Sequence, residues 1–434
     1  MALQMQFEQR TINEFVLLQK HGQINLKPGF QRMSVWRPSD RRKLIDSVVR
    51  GLPLPSVFLH CSQGRGGKPM YDVIDGKQRL ETIFMFMGVR PFDGHVFSAR
   101  LMLNGDGRAE EWSWEEIRRS QREVQHAFLT YPIQVVEVKG DLSDVVDLFI
   151  CINSTGKPLT SQERRHARYY TEPLLIQADG LAKRFAKDLA KQQILTAAQL
   201  TRMKGVELML ELLLSVHSRR LINKKSALDH AMKPGVVDTH TLAAAVRETI
   251  STLHTVLSMF DLRHTRFRNS AEFYTLFMLI WSMQTERYIL DDPVRNKAAQ
   301  RMLELFSAGV DNLREQLRRA KPATRNQGLY GDYLVTVQGD TDSSATRQRR
   351  ETILRGLLCP LFETRDAKRA FSLEQRRVLW NTESSRKCSG CGKELAWGDF
   401  DADHVVAWSR GGRTELGNAQ LLCRRCNRSK GARP

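Results

Sequence analysis

The chain has few cysteines and no long apolar segment, and both features limit what the protein can be. Seven cysteines occur among 434 residues, and four of them are clustered near the C-terminal end. The other three, Cys61, Cys151 and Cys359, lie far apart among apolar neighbours, which predicts buried thiols in a reducing compartment. The absence of an apolar run of about eighteen residues excludes a membrane-spanning helix. The first residues lack the apolar segment of a signal peptide, so a cytoplasmic protein is expected.

Acidic residues are scarce relative to basic ones. The 67 lysines and arginines against 48 aspartates and glutamates give a formal net charge of +19, with an isoelectric point near 9.8. This excess favours a polyanionic partner, although charge alone does not distinguish DNA from RNA or from a membrane surface. Hydrophobic residues make up 41% of the chain, which is typical of a globular protein. The length predicts two or three domains.

The four clustered cysteines form two C-x-x-C pairs, Cys388/Cys391 and Cys423/Cys426. Paired spacing of this kind is among the stronger metal signals in a sequence, and four thiolates match a tetrahedral zinc site. Because four protein ligands leave no coordination position open, such a zinc ion would be structural. A segment this short buries too little apolar area to fold alone, so its fold is expected to depend on the metal.

Between the two pairs lie residues suited to the hydrolysis of a phosphodiester. Asp403 and His404 are adjacent, and on a strand their side chains would point to opposite faces. His404 is the candidate general base, because an imidazole titrates near neutral pH. Asp403 and the carbonyl of Asn427 are candidate oxygen ligands for Mg²⁺ or another divalent cation, which would absorb charge at the phosphate.

In the order of these residues, the segment Cys388–Lys430 resembles the HNH nuclease family, the ββα-metal fold. The resemblance implies a hairpin with Asp403-His404 on its first strand, followed by a helix that starts near Cys426. It also implies that His404 is the base, that Asp403 and Asn427 hold the metal, and that Asn418 braces the loop that aims His404. The family often has a histidine at the position of Asn427. The alternative is a zinc ribbon that only holds structure or binds DNA, but a ribbon does not require these residues in this order.

A second candidate site lies in the segment Tyr71–Met87, YDVIDGKQRLETIFMFM. The pattern predicts a strand, a turn at Asp75-Gly76, and a helix that opens with Lys77, Gln78 and Arg79. The N–H groups at a helix N-terminus suit a phosphate, and Arg79 can bind an anion in bidentate fashion. Asp75 can hold a cation or orient water, but it can equally cap the helix.

Four ordered motifs resemble the N-terminal domain of GmrSD-type restriction proteins over roughly residues 10–170; they are PGFQRMSVW, LIDSVVRGLPLPSVFL, IDGKQRLETI and FICINSTGKPLTSQERRHA. The resemblance implies a ParB-like core with a DGQQR-type motif, here Asp75–Arg79, in which Lys77 replaces the usual glutamine. It implies that Asp75, Gly76, Lys77, Gln78 and Arg79 bind or hydrolyse a nucleoside triphosphate, with Arg32 of the FQR motif as a further phosphate donor. Family members pair this domain with an HNH-like nuclease and defend bacteria by cutting foreign, often modified, phage DNA.

Apolar periodicity predicts the remaining architecture. Stripes of helical period recur between residues 171 and 320, whereas residues 340–350 are polar and suggest a linker. The run 347–377 holds nine basic and four acidic residues, which predicts either a phosphate-contacting helix or a solvated helix face. The expected fold class is α+β, with a ParB-like α/β domain at 1–170, a helical domain at 171–340, a basic linker and helix at 341–379, and a zinc-stapled HNH domain at 380–434.

The sequence therefore predicts an anti-phage restriction endonuclease that cleaves foreign double-stranded DNA and is regulated by nucleotide binding or hydrolysis. Two alternatives stay open: a nucleotide-regulated DNA-binding protein with an inactive HNH module, and a nuclease toxin that acts on host nucleic acid. The expected cofactors are structural Zn²⁺, catalytic Mg²⁺ or another divalent cation, and a nucleoside triphosphate. No membrane partner is expected, and a homo-oligomer remains open.

Overall fold

The chain divides into two compact units in the computed structural model. Unit 1 comprises residues 1–183, 196–207 and 232–236, and unit 2 comprises 184–195, 208–231 and 237–434. The structure describes residues 3–30, 36–63, 67–103, 108–153, 159–233, 235–319, 328–366, 368–383 and 385–431. Arg32, predicted as a phosphate donor, lies outside the described residues.

The elements of the first 170 residues alternate between strands and helices. The strands are β1 Gln4–Thr11, β2 Ile24–Asn25, β3 Val57–Gln63, β4 Pro69–Asp75, β5 Ala99–Leu101, β6 Glu110–Trp112 and β7 Pro132–Lys139. The helices are α1 Ile12–Lys20, α2 Pro38–Val49, α3 Lys77–Met87, α4 Trp114–Ser120, α5 Arg122–Thr130, α6 Leu142–Ile152 and α7 Ser161–Tyr169.

The rest of the chain is helical up to a C-terminal hairpin. The helices are α8 Pro173–Lys191, α9 Ala197–Thr201, α10 Lys204–Ser218, α11 Lys224–Ala231, α12 Thr239–Met259, α13 Ser270–Thr285, α14 Pro293–Arg319, α15 Gly328–Thr336, α16 Ser344–Leu358, α17 Leu373–Thr382 and α18 Arg424–Lys430. The hairpin consists of β8 Phe400–His404 and β9 Ala419–Cys423. The α+β fold class is confirmed: an N-terminal α/β sheet, a helical middle and a C-terminal hairpin with a helix.

Unit 1 is built on a five-stranded mixed sheet in the order β1-β7-β3-β4-β2. β7 pairs antiparallel with β1 and parallel with β3, and β4 pairs antiparallel with β3 and parallel with β2. Neighbouring residues of one strand enter different cores: Val73 packs with α1, α2 and α3, whereas Ile74 packs with α6 and α7. Both faces of the sheet are therefore covered along its central strands, whereas the edge strand β1 is mostly exposed.

In unit 2 the central helix is α13. Eleven of its sixteen residues are buried, so the helix is apolar on nearly every face. Helices α12 and α16 pack against it. No helix among the described residues is both long and apolar enough to cross a bilayer.

The polar stretch 340–350 does not form the predicted linker. Helix α16 begins at Ser344, with Ser343 as its N-cap, and the side chains of Arg347 and Arg350 are completely buried. Arg347 donates to Glu211 Oε2 at 2.7 Å and lies 3.8 Å above the ring of Tyr274. Arg350 donates to the hydroxyl of Thr275 and to the carbonyls of Thr336 and Thr341. These two arginines therefore lie neither on a phosphate-contacting face nor on a solvated face of the helix.

One cysteine also departs from expectation. Cys61 and Cys359 are half-buried, but Cys151 is exposed on α6. The apolar neighbours of Cys151 in the sequence face the core from other sides of the helix, so local hydrophobicity did not predict its environment.

Candidate functional site

The four cysteines converge on one point. Their sulfur atoms all lie within 4.8 Å of one another, and the Cys391 and Cys423 sulfurs are 3.9 Å apart. Zn–S bonds of about 2.3 Å in a tetrahedron place sulfurs roughly 3.8 Å apart, so the donor set fits zinc. Burial alone would raise the pKa of the Cys388 thiol, but N–H donors from Cys423, Cys391 and Gly390 outweigh it and lower the pKa to about 6. Cys388 is therefore suited to be a thiolate ligand.

The cluster joins a knuckle at residues 388–391 to the junction of β9 and α18. Cys423 ends β9 and is also the N-cap of α18, where its sulfur accepts from the N–H of Cys426 at 3.4 Å. A Cβ at Gly390 would lie 3.2 Å from Cys426 Cβ, a tight contact that a larger residue would relieve only by moving the two loops slightly apart. The sulfur cluster thereby fixes where α18 begins relative to the hairpin.

His404, the last residue of β8, is 6% exposed. Its Nε2 lies 3.0 Å from the hydroxyl of Thr414, and its ring centroid lies 4.6 Å from that of Phe371. Burial lowers the pKa of His404; Lys430 and Arg369 lower it further, whereas Asp403 and Asp366 oppose the shift. The imidazole is therefore neutral at neutral pH, as a general base must be.

Thr414 is held on three sides. Its backbone N–H donates to Asp366 Oδ2 at 2.9 Å, its hydroxyl donates to the carbonyl of Lys368, and the same oxygen faces His404. Thr414 was not singled out from the sequence. The only local signal was its position two residues after Gly412, and its partners Asp366 and Lys368 lie more than forty residues away.

Asp403 and Asn427 lie on the other side of β8, which faces α18. Asp403 Oδ2 accepts from Lys430 Nζ at 2.7 Å and from Gln420 Nε2 at 3.3 Å. Asn427 donates its Nδ2 to Asp401 Oδ2 at 2.9 Å, as the amide is assigned from its hydrogen bonds. With the amide in this orientation, the carbonyl oxygen of Asn427 is its candidate metal ligand.

Asn418 braces the loop that follows β8. Its Oδ1 accepts from the N–H of Val406 at 2.8 Å, and its Nδ2 donates to the carbonyls of Val406 and Arg413 at 3.1 and 2.9 Å. The loop also requires Gly412, because a Cβ there would lie 1.7 Å from the carbonyl oxygen of Val406. The described geometry thus brings Asp403, His404, Asn418 and Asn427 into one hairpin and helix.

The second candidate site lies at the end of β4 in unit 1. Gly76 has a φ of 97°, and a Cβ there would lie 2.8 Å from Val57 Cγ2, so glycine is required twice over. Helix α3 begins immediately afterwards at Lys77. Asp75 does not cap this helix; its Oδ2 accepts from Arg79 at 2.5 Å.

Arg79 is only 9% exposed. Its guanidinium donates to Asp75 and to the carbonyl of Pro55, and burial lowers its pKa. The structure therefore places Asp75, Gly76, Lys77, Gln78 and Arg79 together at one strand–helix turn, but it directs Arg79 towards Asp75. Glu81 on the same helix was not singled out from the sequence: it is 4% exposed, and its Oε2 has no hydrogen-bond partner among the described residues.

Comparison with known families matches two segments of the chain. Residues 12–170 match the GmrSD restriction endonuclease N-terminal domain, and residues 388–433 match the HNH endonuclease family. A comparison with curated proteins gives no match. The first segment contains four of the five strands of the mixed sheet and the Asp75–Arg79 turn, and the second contains the cysteine cluster and His404. The chain therefore contains a GmrSD restriction endonuclease N-terminal domain fused to a C-terminal HNH endonuclease domain.

Proposed function

We propose that this protein defends its host by cutting phage DNA with His404 as the general base, and that a nucleoside triphosphate bound at the Asp75–Arg79 turn controls the cut. The observation that carries the proposal is the setting of His404: a buried, neutral imidazole at the end of a strand whose opposite face presents Asp403 to α18. A zinc ribbon that only holds structure requires neither a buried histidine at the position of His404 nor a carboxylate such as Asp403 on the opposite face of the strand.

The hydrogen bonds of Thr414 select which nitrogen of His404 acts. The threonine hydroxyl has one proton, and it donates that proton to the carbonyl of Lys368, which can only accept. The hydroxyl must therefore accept from Nε2–H of His404. This fixes the tautomer in which Nδ1 carries the lone pair, so Nδ1 is the atom that removes a proton from water.

The cut itself balances without further reactants. The water oxygen forms a bond to phosphorus, the bond from phosphorus to the leaving ester oxygen breaks, one water proton passes to Nδ1 of His404, and the leaving oxygen takes up a proton from solvent. A divalent cation held by Asp403 and the Asn427 carbonyl would supply positive charge to the phosphate and the leaving oxygen. Asp401 orients Asn427, and Lys430 ties Asp403 to the end of β8 through the carbonyls of His404 and Val405.

For the nucleotide, the helix start supports phosphate binding better than Arg79 does. The guanidinium of Arg79 is committed to Asp75 and Pro55, so we assign it the task of positioning Asp75. The phosphate contacts fall to the N–H groups of the first turn of α3 and to the Lys77 ammonium. The buried carboxylate of Glu81, with an oxygen lacking a partner among the described residues, is suited to a cation that accompanies the nucleotide.

The deciding experiment measures cleavage of modified and unmodified phage DNA, with Mg²⁺, in the presence and absence of each nucleoside triphosphate. The wild-type protein is expected to cut, and His404→Ala is expected to lose cleavage while binding DNA with unchanged affinity, because the base acts only in the transition state. His230→Ala, which removes an exposed histidine of α11, is the matched control and is expected to cut normally.

Three results would contradict the proposal. If His404→Ala cleaves DNA at the wild-type rate, His404 is not the general base. Binding of DNA without cleavage by any form of the protein would favour the inactive-module alternative. Preferential cleavage of RNA or of host DNA would favour the toxin alternative.

A further inference from the structure

A large basic cleft lies in unit 2, next to the hairpin that carries His404. It has a volume of about 1440 Å³ and is lined by the ends of α8, α12, α13 and α14 and by the segment before α17. Pockets for small molecules usually enclose about 300–1,000 Å³. The cleft is therefore larger than a cofactor site needs, and its exposed lining residues leave it open to solvent.

The lining carries a strong excess of positive charge. Six basic side chains face two carboxylates, those of Asp261 and Asp291, which gives an excess of four positive charges. The six are Lys191, Arg263, Arg287, Lys297, Arg365 and Arg369. Arg263 forms an ion pair with Asp261 at 2.6 Å, so the negative charge of Asp261 is already neutralised within the cleft. A concave surface with this charge concentrates phosphate groups.

The cleft is continuous with the nuclease hairpin through Trp408. The indole lies in the loop after β8, lines the cleft, and donates its Nε1–H to the carbonyl of Asp366 at 3.0 Å. The guanidinium carbons of Arg365 and Arg369 each lie 5.8 Å from the centroid of its ring. Trp408 follows His404 by four residues, so the cleft reaches the loop that leaves the candidate base.

The backbone around Arg365 is fixed to the helical part of the unit. The N–H of Arg365 donates to the carbonyl of Arg287 at 2.9 Å, and the N–H of Ile289 donates to the carbonyl of Glu363 at 2.9 Å. A Cβ at Gly411 would lie 2.7 Å from Ile289 Cδ1, so the hairpin loop also packs directly on this region. The segments that line the cleft are therefore held together by backbone hydrogen bonds and packing within the unit.

We propose that this cleft binds the phosphate backbone of the DNA substrate and leads it to His404. The inference rests on the proposed function in one respect, that DNA is the substrate. It goes beyond that function because Lys191, Arg263, Arg287 and Lys297 lie in residues 171–387, which neither family match covers. The helical middle of the chain thereby becomes a substrate-binding part of the nuclease.

The test compares charge removal inside and outside the cleft on the same two helices. Lys191→Gln/Lys297→Gln removes two exposed cleft cations from α8 and α14, and Lys187→Gln/Arg314→Gln removes two exposed cations of those helices that do not line the cleft. All variants are made in the full-length, zinc-loaded chain with His404→Ala, so that DNA is bound but not cut. Affinity for duplex DNA is measured by fluorescence anisotropy over a salt series.

The cleft variant is expected to bind about tenfold more weakly at moderate salt. The slope of log affinity against log salt is expected to fall by about 1 to 2, since each phosphate contact contributes about 0.9. Lys191→Arg/Lys297→Arg, which keeps both charges, is expected to bind as the parent does. The control variant is expected to keep the slope and nearly all of the affinity.

The experiment distinguishes a failure of the proposed function from a failure of the cleft proposal. If the parent protein binds no DNA, the proposed function fails together with the cleft. If the parent binds and the cleft and control variants weaken equally, or neither weakens, only the cleft proposal is wrong. If the cleft variant keeps DNA binding but loses binding of ATP used as a probe, the cleft is a nucleotide site and the DNA proposal is overturned.

Discussion

At the scale of single residues, Thr414 has the clearest effect on the chemistry. Its one hydroxyl proton is donated to the carbonyl of Lys368, and its oxygen faces Nε2 of His404 at 3.0 Å. The residue touches neither the reacting water nor the phosphate, so it is a positioning residue. Groups of this kind commonly contribute one to two orders of magnitude to activity by fixing a tautomer and a ring orientation.

We therefore predict that Thr414→Val lowers the cleavage rate constant about 10- to 100-fold without changing DNA affinity. Valine keeps the volume but cannot accept from Nε2–H. Thr414→Ser retains the hydroxyl and is expected to restore cleavage to within a few-fold of wild type. Single-turnover cleavage and DNA-binding measurements on the same preparations check this. A loss in the serine variant but not in the valine variant would show that the methyl group's packing, rather than the hydrogen bond, matters.

A second residue-scale prediction concerns Arg347, which is fully buried beside Glu211. Its guanidinium also donates to the carbonyl of Ile222 at 3.0 Å and lies over Tyr274. Arg347→Met would leave the Glu211 carboxylate, 3% exposed, with Lys224 as its remaining cation at 2.7 Å. We expect a loss of about 3 kcal/mol in the free energy of unfolding, the usual effect of breaking a buried ion pair.

Arg349, two residues further along α16, provides the control. Its side chain is 56% exposed and pairs with the exposed Asp332 at 3.1 Å. Surface pairs of this kind contribute about 0–1 kcal/mol, so Arg349→Met is expected to leave stability almost unchanged. Urea denaturation followed by circular dichroism compares the two variants. A shift of the midpoint that is the same for both would mean that the burial of Arg347 does not stabilise unit 2.

At the scale of elements, the C-terminal hairpin depends on more than its own apolar residues. Its core consists of Leu379, Phe400 and Leu421, with Trp380 stacked on Phe400 at 5.0 Å. Helix α17 supplies Leu379 and Trp380, so it belongs structurally with the hairpin although it begins before residue 380. A core this small does not offset the conformational entropy of the segment, so we expect a metal ion held by the sulfur cluster to provide the missing stabilisation.

We predict that the protein binds one zinc ion and that Cys388→Ser/Cys423→Ser loses it. The variant, or the wild type treated with a strong chelator, is expected to lose the near-ultraviolet circular dichroism of Trp380 and Trp397 and to become sensitive to proteolysis in 385–431. Unit 1 is expected to keep its fold. Cys359→Ser, which removes a half-buried cysteine outside the cluster, is the control. Elemental analysis without zinc, or a fully protected double variant, would refute the prediction.

At the scale of the whole molecule, unit 1 contains the Asp75–Arg79 turn, for which we propose a nucleotide, and unit 2 contains the HNH nuclease domain. The chain passes between the units five times, so a change in unit 1 has several covalent connections to unit 2. An uncontrolled nuclease would damage its host, which favours coupling between the two. Coupling requires that the nucleotide bind one state of the whole protein more tightly than another.

The prediction is that altering the turn changes phage-DNA cleavage although no HNH residue is touched. Because Arg79 is buried against Asp75, Asp75→Ala would leave a buried charge without its partner; Asp75→Asn retains a hydrogen-bond acceptor and is the better variant. We expect Asp75→Asn to abolish the effect of nucleotide on the cleavage rate. Asp72→Asn, on the same strand, is the control. If both variants respond to nucleotide as the wild type does, the units are only tethered.

Much of the fold followed from local patterns. The strand, glycine and helix at 69–87 were predicted almost to the residue, because alternation, the φ that Gly76 alone tolerates, and helical period are all encoded within a few positions. Strand β1 was not predicted. Its sequence lacks a clear hydrophobic pattern, and the apolar side chains of Met5 and Phe7 are exposed. The strand forms because the edge of β7 is available for pairing.

The sequence by itself determined the pieces whose chemistry depends on spacing: two C-x-x-C pairs, an Asp-His dipeptide and an Asp-Gly turn before a helix. Only the tertiary structure decided which groups face one another across long separations. Arg347 meets Glu211 across 136 positions, Thr414 meets Lys368 across 46, and helices far apart in the chain assemble the basic cleft. The physical reason is that periodicity and turn chemistry act over a few residues. The partner of a buried charge, by contrast, depends on how distant segments pack, and composition does not record that packing.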